Sequence, residues 1–435
     1  MAILLICRPA PGAAAAWSPA DSAAVARATW REAREARAHG DHVGAMLKAD
    51  RAHDAWPTQW YYAWGLATLA AEAGEPSTAA RALDDLAAIG AAPDLSTDST
   101  LMALGRENIS VQTSLQRVAA NRVPLARSQP LVTFAVADSA FYPEGLARDA
   151  RTGRFFVASV RERKIAVLTP GKPARDFVPA AAGGLRAALA VAVDARRGRL
   201  WATSAGIPQM AGFAAGDTGR ASIHAFDLAS GRVIARHDLP ESPEGHVPGD
   251  VCIAPNGDVY VTDSAHPAIW RLRAGAKDGA PPEEWLSDPS FRSLQGQAFS
   301  ADGRTLYVAD YSHGLAAIDV ATKAVRWLEP PAGVCVLGID GMGRAGDDLV
   351  CVQNGITPAR IVRVRLGPGP RITGLEVLDR NTAVADEPTM GVVAGDNFVY
   401  VANSQWEKYD EAGARRLGRE LTAPTLLSVP IRGAK

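Results

Sequence analysis

The chain has 435 residues, an apolar content of 47%, a charged content of 21% and a formal net charge of −1. This balance, without a long basic run, argues against a nucleic-acid partner, because such a partner requires a surface that neutralises phosphates. No apolar stretch approaches the roughly 20 residues that cross a bilayer as a helix. We therefore expect a globular protein with no nucleic-acid partner and no transmembrane segment.

The first 18 residues are interpreted as a leader or the remnant of a signal peptide. Residues 2–7 are apolar and residues 13–16 are all alanine, but Arg8 follows the apolar run, whereas a secretory signal carries its basic residue before that run. The segment predicts a periplasmic or secreted protein if it is a signal remnant, and a cytoplasmic protein otherwise.

Residues 19–127 show helical spacing and are rich in alanine, leucine, arginine and glutamate. Two turn glycines, Gly40 and Gly74, lie 34 residues apart, and each precedes an acidic residue. Pro57 and Pro93 follow the second helix of each pair, a period and punctuation typical of tetratricopeptide repeats. We interpret this region as a small all-α helical-repeat domain that either binds a protein partner or packs on the next domain. Two repeats favour packing, since a binding groove needs about three stacked units.

After a linker that ends at Pro130, strand–turn–strand units fill residues 131–435. Six short apolar runs share one pattern, and their last residues are separated by 45, 59, 47, 43 and 50 residues. We interpret them as the inner strands of six four-stranded blades, with one insertion at Gly206–Gly219 that forms a loop over one face. The six runs are Phe155–Ser159, Leu200–Ser204, Val259–Asp263, Leu306–Asp310, Leu349–Gln353 and Val399–Asn403.

The predicted fold is therefore mainly β: a six-bladed β-propeller preceded by a small helical domain. Closing the ring requires one blade that combines strands from both ends of the domain, because an open ring leaves sheet edges unpaired. The two runs available for this blade are Leu131–Phe134 and Thr425–Val429.

The residues that precede the six runs are expected to line one mouth of the central channel. Four of these six positions carry a side-chain oxygen, and two of the four are carboxylates. A site rich in oxygen ligands suits a hard divalent cation such as calcium. The six residues are Glu144, Leu189, Gly249, Gln295, Asp340 and Thr389.

Three motifs resemble the senescence-marker-protein/gluconolactonase family of six-bladed propellers. They are Pro143-Glu144-Gly145-Leu146, Gln295-Gly296 before Phe299–Asp310, and Gly338-Ile339-Asp340-Gly341-Met342. The resemblance covers Leu131 to the C-terminus and implies a divalent metal in the channel and the hydrolysis of lactones or related esters. It places a family metal ligand on Glu144, and on Asp340 a second ligand that also acts as the general base.

The chain departs from the family pattern in two blades. Gln295 stands where the family has asparagine in blade four, and Gly249 stands where blade three often has an asparagine ligand. Asp250, beside Gly249, either reaches the metal or anchors the blade through a structural hydrogen bond. The predicted metal ligands are thus Glu144, Asp250, Gln295 and Asp340.

Two functions fit this sequence. One is a metal-dependent, calcium-type lactonase or esterase that acts on a small organic ester or lactone at the channel. The other is a non-catalytic propeller that binds a ligand or protein and has lost part of its metal site. Because Asp263, Asp310 and Asn403 recur at the ends of equivalent runs, we expect them to be structural. His266 and His313 are either proton acceptors at the mouth or satisfied loop histidines.

Overall fold

The structure is a computed structural model that describes residues 17–133, 136–169, 172–369 and 371–432. Most of the predicted leader lies outside these described residues. Six α-helices precede 24 β-strands within this part of the chain. Among these helices, none is both long and apolar enough to cross a membrane.

Helices α1 to α4 each pack on the next in the chain, and α4 then packs on α6, around a core built largely of alanine. Gly40 and Gly74 adopt positive φ angles of 78° and 71°, which end a helix and reverse the chain. Small buried residues such as Ala23, Ala45 and Ala49 allow neighbouring helices to approach closely. The assignment to tetratricopeptide repeats stays a prediction. The helices are α1 (Pro19–Ala38), α2 (His42–Ala55), α3 (Trp60–Glu72), α4 (Pro76–Ala88), α5 (Ser99–Glu107) and α6 (Ile109–Ala120).

The strands form six antiparallel sheets of four strands each, which confirms the six-bladed propeller. The strands are β1 (Gln129–Thr133), β2 (Pro143–Arg148), β3 (Phe155–Ser159), β4 (Ile165–Leu168), β5 (Arg175–Val178), β6 (Ala187–Asp194), β7 (Arg199–Ala205), β8 (Ala221–Asp227), β9 (Val233–Asp238), β10 (Pro248–Ile253), β11 (Val259–Asp263), β12 (Ala268–Leu272), β13 (Glu283–Ser287), β14 (Leu294–Phe299), β15 (Thr305–Asp310), β16 (Gly314–Asp319), β17 (Val325–Trp327), β18 (Ile339–Ala345), β19 (Asp348–Gln353), β20 (Arg360–Gly367), β21 (Arg371–Arg380), β22 (Gly391–Ala394), β23 (Asn397–Val401) and β24 (Thr425–Pro430).

Blades 1 to 5 each use four consecutive strands, from β2 to β21. Blade 6 has the order β1-β24-β23-β22, so its outermost strand comes from the start of the domain. β1 pairs antiparallel with β24, with Gln129 opposite Ser428 and Thr133 opposite Thr425. This pairing confirms the predicted way of closing the ring, although Phe134 lies outside the described residues.

One prediction about strand order was wrong. The six apolar runs are the second strands of the blades, whereas the innermost strands are β2, β6, β10, β14, β18 and β22, which contact one another around the channel. The second strands are buried almost throughout, as β3 and β11 show, so they give the strongest apolar signal. The innermost strands carry polar channel residues and glycines, which weaken that signal.

The helical domain packs on blade 5. Leu337 and Ile356 of the propeller belong to the same apolar core as the alanine-rich helices. Trp60 Nε1 in α3 donates a hydrogen bond to the carbonyl oxygen of Gly355 (3.1 Å), and Ala92 N donates to that of Thr357 (2.6 Å). These contacts fix the loop between β19 and β20, which also carries a residue of the candidate site. A protein partner for the helices stays a prediction.

Candidate functional site

β-Bulges on the innermost strands set the direction of the predicted channel side chains. The register of blades 1 to 5 shifts on the innermost strand at the predicted position, for instance between Pro143 and Leu146 and between Ile339 and Met342. A bulge leaves residues unpaired and turns a side chain away from the regular alternation of the strand. Glu144, Leu189, Gly249, Gln295 and Asp340 all lie within these shifts.

Glycines next to three channel residues bring neighbouring blades into close contact. A Cβ atom added to Gly145 would lie 2.6 Å from the carbonyl oxygen of Leu189. One added to Gly296 would lie 2.4 Å from that of Asp340, and one added to Gly341 would lie 2.6 Å from that of Thr389. The backbones of adjacent innermost strands therefore touch at the bulge, and the channel residues of successive blades are neighbours.

Glu144 and Asp340 form an electrostatically linked pair at this mouth. Glu144 is buried, and its Oε2 accepts a hydrogen bond from Trp406 Nε1 (2.7 Å). Burial raises the pKa of Glu144 well above its usual range, and the negative charge of Asp340 raises it further. Burial also raises the pKa of Asp340, against the effect of a hydrogen bond from Asn354 Nδ2 to Asp340 Oδ2 (2.8 Å). The charge of Asp340 therefore disfavours the ionisation of Glu144.

Glu387 is a further carboxylate at the mouth that the sequence prediction missed. Its two carboxylate oxygens accept hydrogen bonds from the backbone N–H of Glu407, both at 3.2 Å. Burial raises the pKa of Glu387 to about 7. Its negative charge in turn raises the pKa of Glu144, so the two carboxylates are close enough to interact. Glu387 precedes β22, and the alignment selected Thr389, two residues further on; the adjacent acids of Asp386-Glu387-Pro388 were the available signal.

Asp250 makes the anchoring hydrogen bonds that were one of its two expected roles. Its Oδ1 accepts from Val251 N (2.8 Å), and its Oδ2 accepts from Gln297 N of the next blade (2.9 Å). Burial raises the pKa of Asp250 to about 7, and the charge of Asp340 adds to that rise. Its role as a metal ligand stays a prediction.

Gln295 and Ser264 both lie close to the glycine at position 249. A Cβ atom added to Gly249 would lie 2.4 Å from Ser264 Oγ and 3.3 Å from Gln295 Oε1, so these two side chains occupy the space that Gly249 leaves. The amide nitrogen of Gln295 donates only a long hydrogen bond to Ser293 Oγ (3.4 Å). The predicted metal contact of Gln295 stays a prediction.

An aromatic wall borders Glu144. The Tyr142 ring stacks on Tyr409 (centroids 5.0 Å apart) and meets Trp406 edge to face (5.1 Å). Met210, from the Gly206–Gly219 insertion, is buried in the same cluster, so this loop does lie over one face. Tyr142 has a positive φ of 54°, a backbone conformation that costs energy and is common at functional sites.

Two of the repeated polar residues at the ends of the second strands, Asp310 and Asn403, make structural hydrogen bonds, as expected. Asp310 accepts hydrogen bonds from the backbone N–H groups of Arg292 and Ser293, and Asn403 Oδ1 accepts from Thr425 N. His313 is a buried loop histidine whose Nδ1 bonds the carbonyl oxygen of Ser290 (2.8 Å), whereas its Nε2 is buried without a hydrogen-bond partner among the described residues, so only half of the ring is satisfied.

The metal-free protein is expected to lose stability as the pH rises from about 4.5 to 7. The native carboxyls of Asp250 and Glu387 have a pKa of about 7, against ordinary values of 3.8 and 4.5, so the native state binds more protons than the unfolded state in this window. The free energy of unfolding then falls as pH rises. Added calcium should reverse the loss, because a cation favours the ionised carboxylates.

This pH dependence can be measured by urea denaturation with a chelator and with calcium. His224 acts in the opposite direction, since burial lowers its pKa to about 3 and the native state releases that proton. The informative quantity is therefore the difference in the free energy of unfolding between the wild-type chain and Glu387→Gln. In the variant this free energy should fall less steeply as the pH rises. Parallel curves for the two proteins would contradict the prediction.

No protein-family model and no curated protein matches this chain. Solved structures similar to it include virginiamycin B lyase from Staphylococcus aureus, with 15% identity and a TM-score of 0.45, covering 63% of this chain and 80% of that one. A gluconolactonase from Xanthomonas campestris has 17% identity and a TM-score of 0.43, covering 71% and 96%. The calcium-binding protein regucalcin from Agrobacterium tumefaciens has 14% identity and a TM-score of 0.44, covering 69% and 93%. At these identities and TM-scores the similarities carry no functional argument, and the propeller assignment rests on the strand pairing of this chain.

Proposed function

We propose that this chain is a metal-dependent hydrolase of lactones or related esters, with its active site at the channel mouth. The observation that carries the proposal is electrostatic: the charge of Asp340 acts on Glu144 and on Asp250, the charge of Glu387 acts on Glu144, and the hydrogen-bond donors of these carboxylates are all neutral. Those donors are the indole of Trp406, the amide of Asn354 and backbone N–H groups. Carboxylates that interact in this way repel one another unless a cation or protons neutralise their charge.

The donor set fits a hard divalent cation. It consists of carboxylate oxygens and one amide oxygen, the ligands that calcium prefers. Glu144, Gln295 and Asp340 lie within the bulges that face the channel and would hold the ion, with Asp250 and Glu387 beside them. When bound, such a cation polarises the carbonyl of an ester and stabilises the charge that develops on its oxygen.

Asp340 is the proposed general base. Asn354 Nδ2 donates to Asp340 Oδ2 and also to the carbonyl of Pro388 (2.9 Å), which fixes the carboxylate orientation. The other carboxylate oxygen is then available to accept a proton from water as the water oxygen attacks the ester carbon. Burial raises the pKa of Asp340 toward neutral pH. A general base works best when its pKa lies near the pH at which the enzyme operates. The ester C–O bond then breaks, and Asp340 returns the proton to the alcohol oxygen; in a lactone this step opens the ring to a hydroxy acid.

The aromatic wall suits a cyclic organic substrate. Trp406 is partly exposed beside Glu144, to which it donates a hydrogen bond, and the buried rings of Tyr142 and Tyr409 pack behind it. A lactone ring can pack against such surfaces while its carbonyl points to the carboxylates.

A non-catalytic binding propeller is the second candidate. One observation favours it: both oxygens of Asp250 already accept backbone hydrogen bonds, while Gly249 contributes no side chain. Blade 3 then supplies fewer free metal ligands than the other blades that carry a predicted ligand. The remaining site can bind a small molecule without activating water.

Metal analysis and a lactone panel test the proposal on the full-length protein. We expect chelator-treated protein to rebind one equivalent of calcium at the channel and to hydrolyse at least one class among γ-lactones, δ-lactones and aryl esters only when calcium is present. Protein that binds calcium but is inactive on the whole panel would favour the binding propeller. Wild-type protein that neither binds a divalent metal nor hydrolyses any substrate would rule out the metal-dependent hydrolase.

A further inference from the structure

A second group of potential metal ligands lies in blade 3, apart from the channel carboxylates. His246 precedes β10, Asp263 ends β11, and His266 lies in the turn that follows. One ligand atom from each of the three side chains lies within 4.8 Å of the others. His246 and Asp263 are buried, and His266 is partly buried. The three residues are 20 positions apart at most, yet β10–β11 pairing brings them together.

The outer ring nitrogens of both histidines face oxygen atoms. His246 Nε2 lies 3.0 Å from the carbonyl oxygen of Pro240, which can only accept a hydrogen bond. His266 Nε2 lies 3.0 Å from Ser242 Oγ and 3.4 Å from a carboxylate oxygen of Glu244. These partners favour the proton on Nε2 in each neutral ring, which leaves the lone pair on Nδ1.

Both Nδ1 atoms converge on one oxygen of Asp263. Asp263 Oδ2 lies 2.6 Å from His246 Nδ1 and 3.6 Å from His266 Nδ1. His266 Nδ1 is buried and has no hydrogen-bond partner. Three electron-pair donors that face one another repel unless a cation lies between them, and that cation is either a proton or a metal ion.

The carboxylate of Asp263 is held in place by its other contacts. Its Oδ2 accepts a hydrogen bond from Trp270 Nε1 (3.2 Å), and its Oδ1 accepts from the backbone N–H groups of Val247 and Ala265 (both 3.1 Å). Together with the oxygens on both Nε2 atoms, these contacts are the outer-shell pattern that orients histidine and carboxylate ligands in metal sites.

Blade 4 has the equivalent aspartate and one histidine but lacks the second histidine. His313 follows Asp310 by three residues, as His266 follows Asp263, but the position of His246 is taken by Arg292, whose backbone N–H bonds Asp310. His313 Nδ1 there bonds a backbone carbonyl instead of facing a carboxylate. The paired histidines are therefore a feature of blade 3 that the shared blade structure does not require.

We propose that His246, Asp263 and His266 form a binding site for a transition-metal dication such as Zn²⁺, separate from the hard-cation site of the channel. Two imidazole nitrogens and one carboxylate oxygen are ligands that zinc prefers and calcium does not. Three protein ligands leave a fourth position for water. The ion replaces the proton shared by His246 and Asp263 and ties the loop before β10 to the turn after β11.

Titration of full-length, calcium-saturated protein with Zn²⁺ and with Co²⁺ tests this site. We expect one equivalent to bind, with a Co²⁺ ligand-field spectrum of low coordination number. His266→Gln should weaken zinc binding by more than about 10-fold, because the loss of a ligand costs at least as much as the loss of an outer-shell partner. His266→Cys should retain binding and add thiolate-to-cobalt absorption, which a merely structural histidine does not produce.

Two further variants separate this proposal from its alternatives. His42→Gln removes a half-exposed histidine in the helical domain and should leave zinc binding unchanged. Glu144→Gln should also leave it unchanged, so failure of the channel site and failure of this site are distinguishable. A wild-type chain that binds no Zn²⁺, or a His266→Gln variant that binds it as tightly as the wild type, would show that the histidines share a proton only and would overturn the proposal.

Discussion

An Asp340→Asn variant is expected to hydrolyse lactones about 10²- to 10⁴-fold more slowly than the wild-type chain, the usual contribution of a general acid or base. Asparagine keeps the size of the side chain and one carbonyl oxygen, but it has no basic oxygen that can accept the proton of water. It also removes one negative charge from the channel mouth, so calcium binding should weaken in the same variant.

Glu144→Gln separates metal binding from proton transfer. The glutamine oxygen can still accept the hydrogen bond from Trp406, so the aromatic wall is retained. Calcium affinity and activity should both fall, and saturating calcium should restore activity more fully than in Asp340→Asn. Because Glu144 is buried beside other carboxylates, its neutral replacement should leave the metal-free protein as stable as the wild type or more stable.

Asp347→Asn is the matched control for both variants. Asp347 is exposed in the turn that joins β18 to β19, so it lies at the opposite end of the hairpin that begins at Asp340. Calorimetric calcium titration and lactone turnover should be unchanged in this control. Wild-type turnover by Asp340→Asn, or wild-type calcium affinity in Glu144→Gln, would refute the assigned roles.

Local repetition made the fold and the innermost-strand positions predictable. Glu144, Gln295 and Asp340 each precede a glycine, and the contact of that glycine with the next blade explains why the pair recurs. The second strands were mistaken for the inner ones because burial on both faces, not proximity to the channel, sets the apolar signal. Thus five of the six predicted residues lie on an innermost strand, although the apolar run after each of them was mistaken for that strand.

Contacts between distant segments could not be predicted in the same way. Trp406 and Glu144 are 262 residues apart and meet only because the ring closes. Trp60 bonds Gly355, beside the Asn354 that orients Asp340, and that contact depends on how two domains pack. Glu387 was missed because it lies in the segment before β22, the innermost strand of blade 6, and not in the strand itself. None of these relations has a fixed spacing in the sequence.

Gly296→Ala is expected to lower the free energy of unfolding by about 1–3 kcal/mol, the usual cost of overpacking. The added Cβ would lie 2.4 Å from the carbonyl oxygen of Asp340 and 2.8 Å from the backbone nitrogen of Met342. Both are backbone atoms of the next blade, so no flexible side chain can give way. Blades 4 and 5 must move apart at the bulge that carries Asp340, and calcium affinity should therefore fall together with stability.

Gly374→Ala is the matched control because it makes the same substitution in a strand of the same propeller. Gly374 lies in β21 with nothing within 4 Å of an added Cβ, and neither glycine adopts a positive φ. The control should change the free energy of unfolding by no more than about 0.5 kcal/mol. Urea denaturation and calcium titration of both variants measure the two effects. Since space alone distinguishes the two sites, equal stability of the variants would mean that the innermost strands are not in backbone contact at the channel mouth, and the placement of Gln295 beside Asp340 would fail with it.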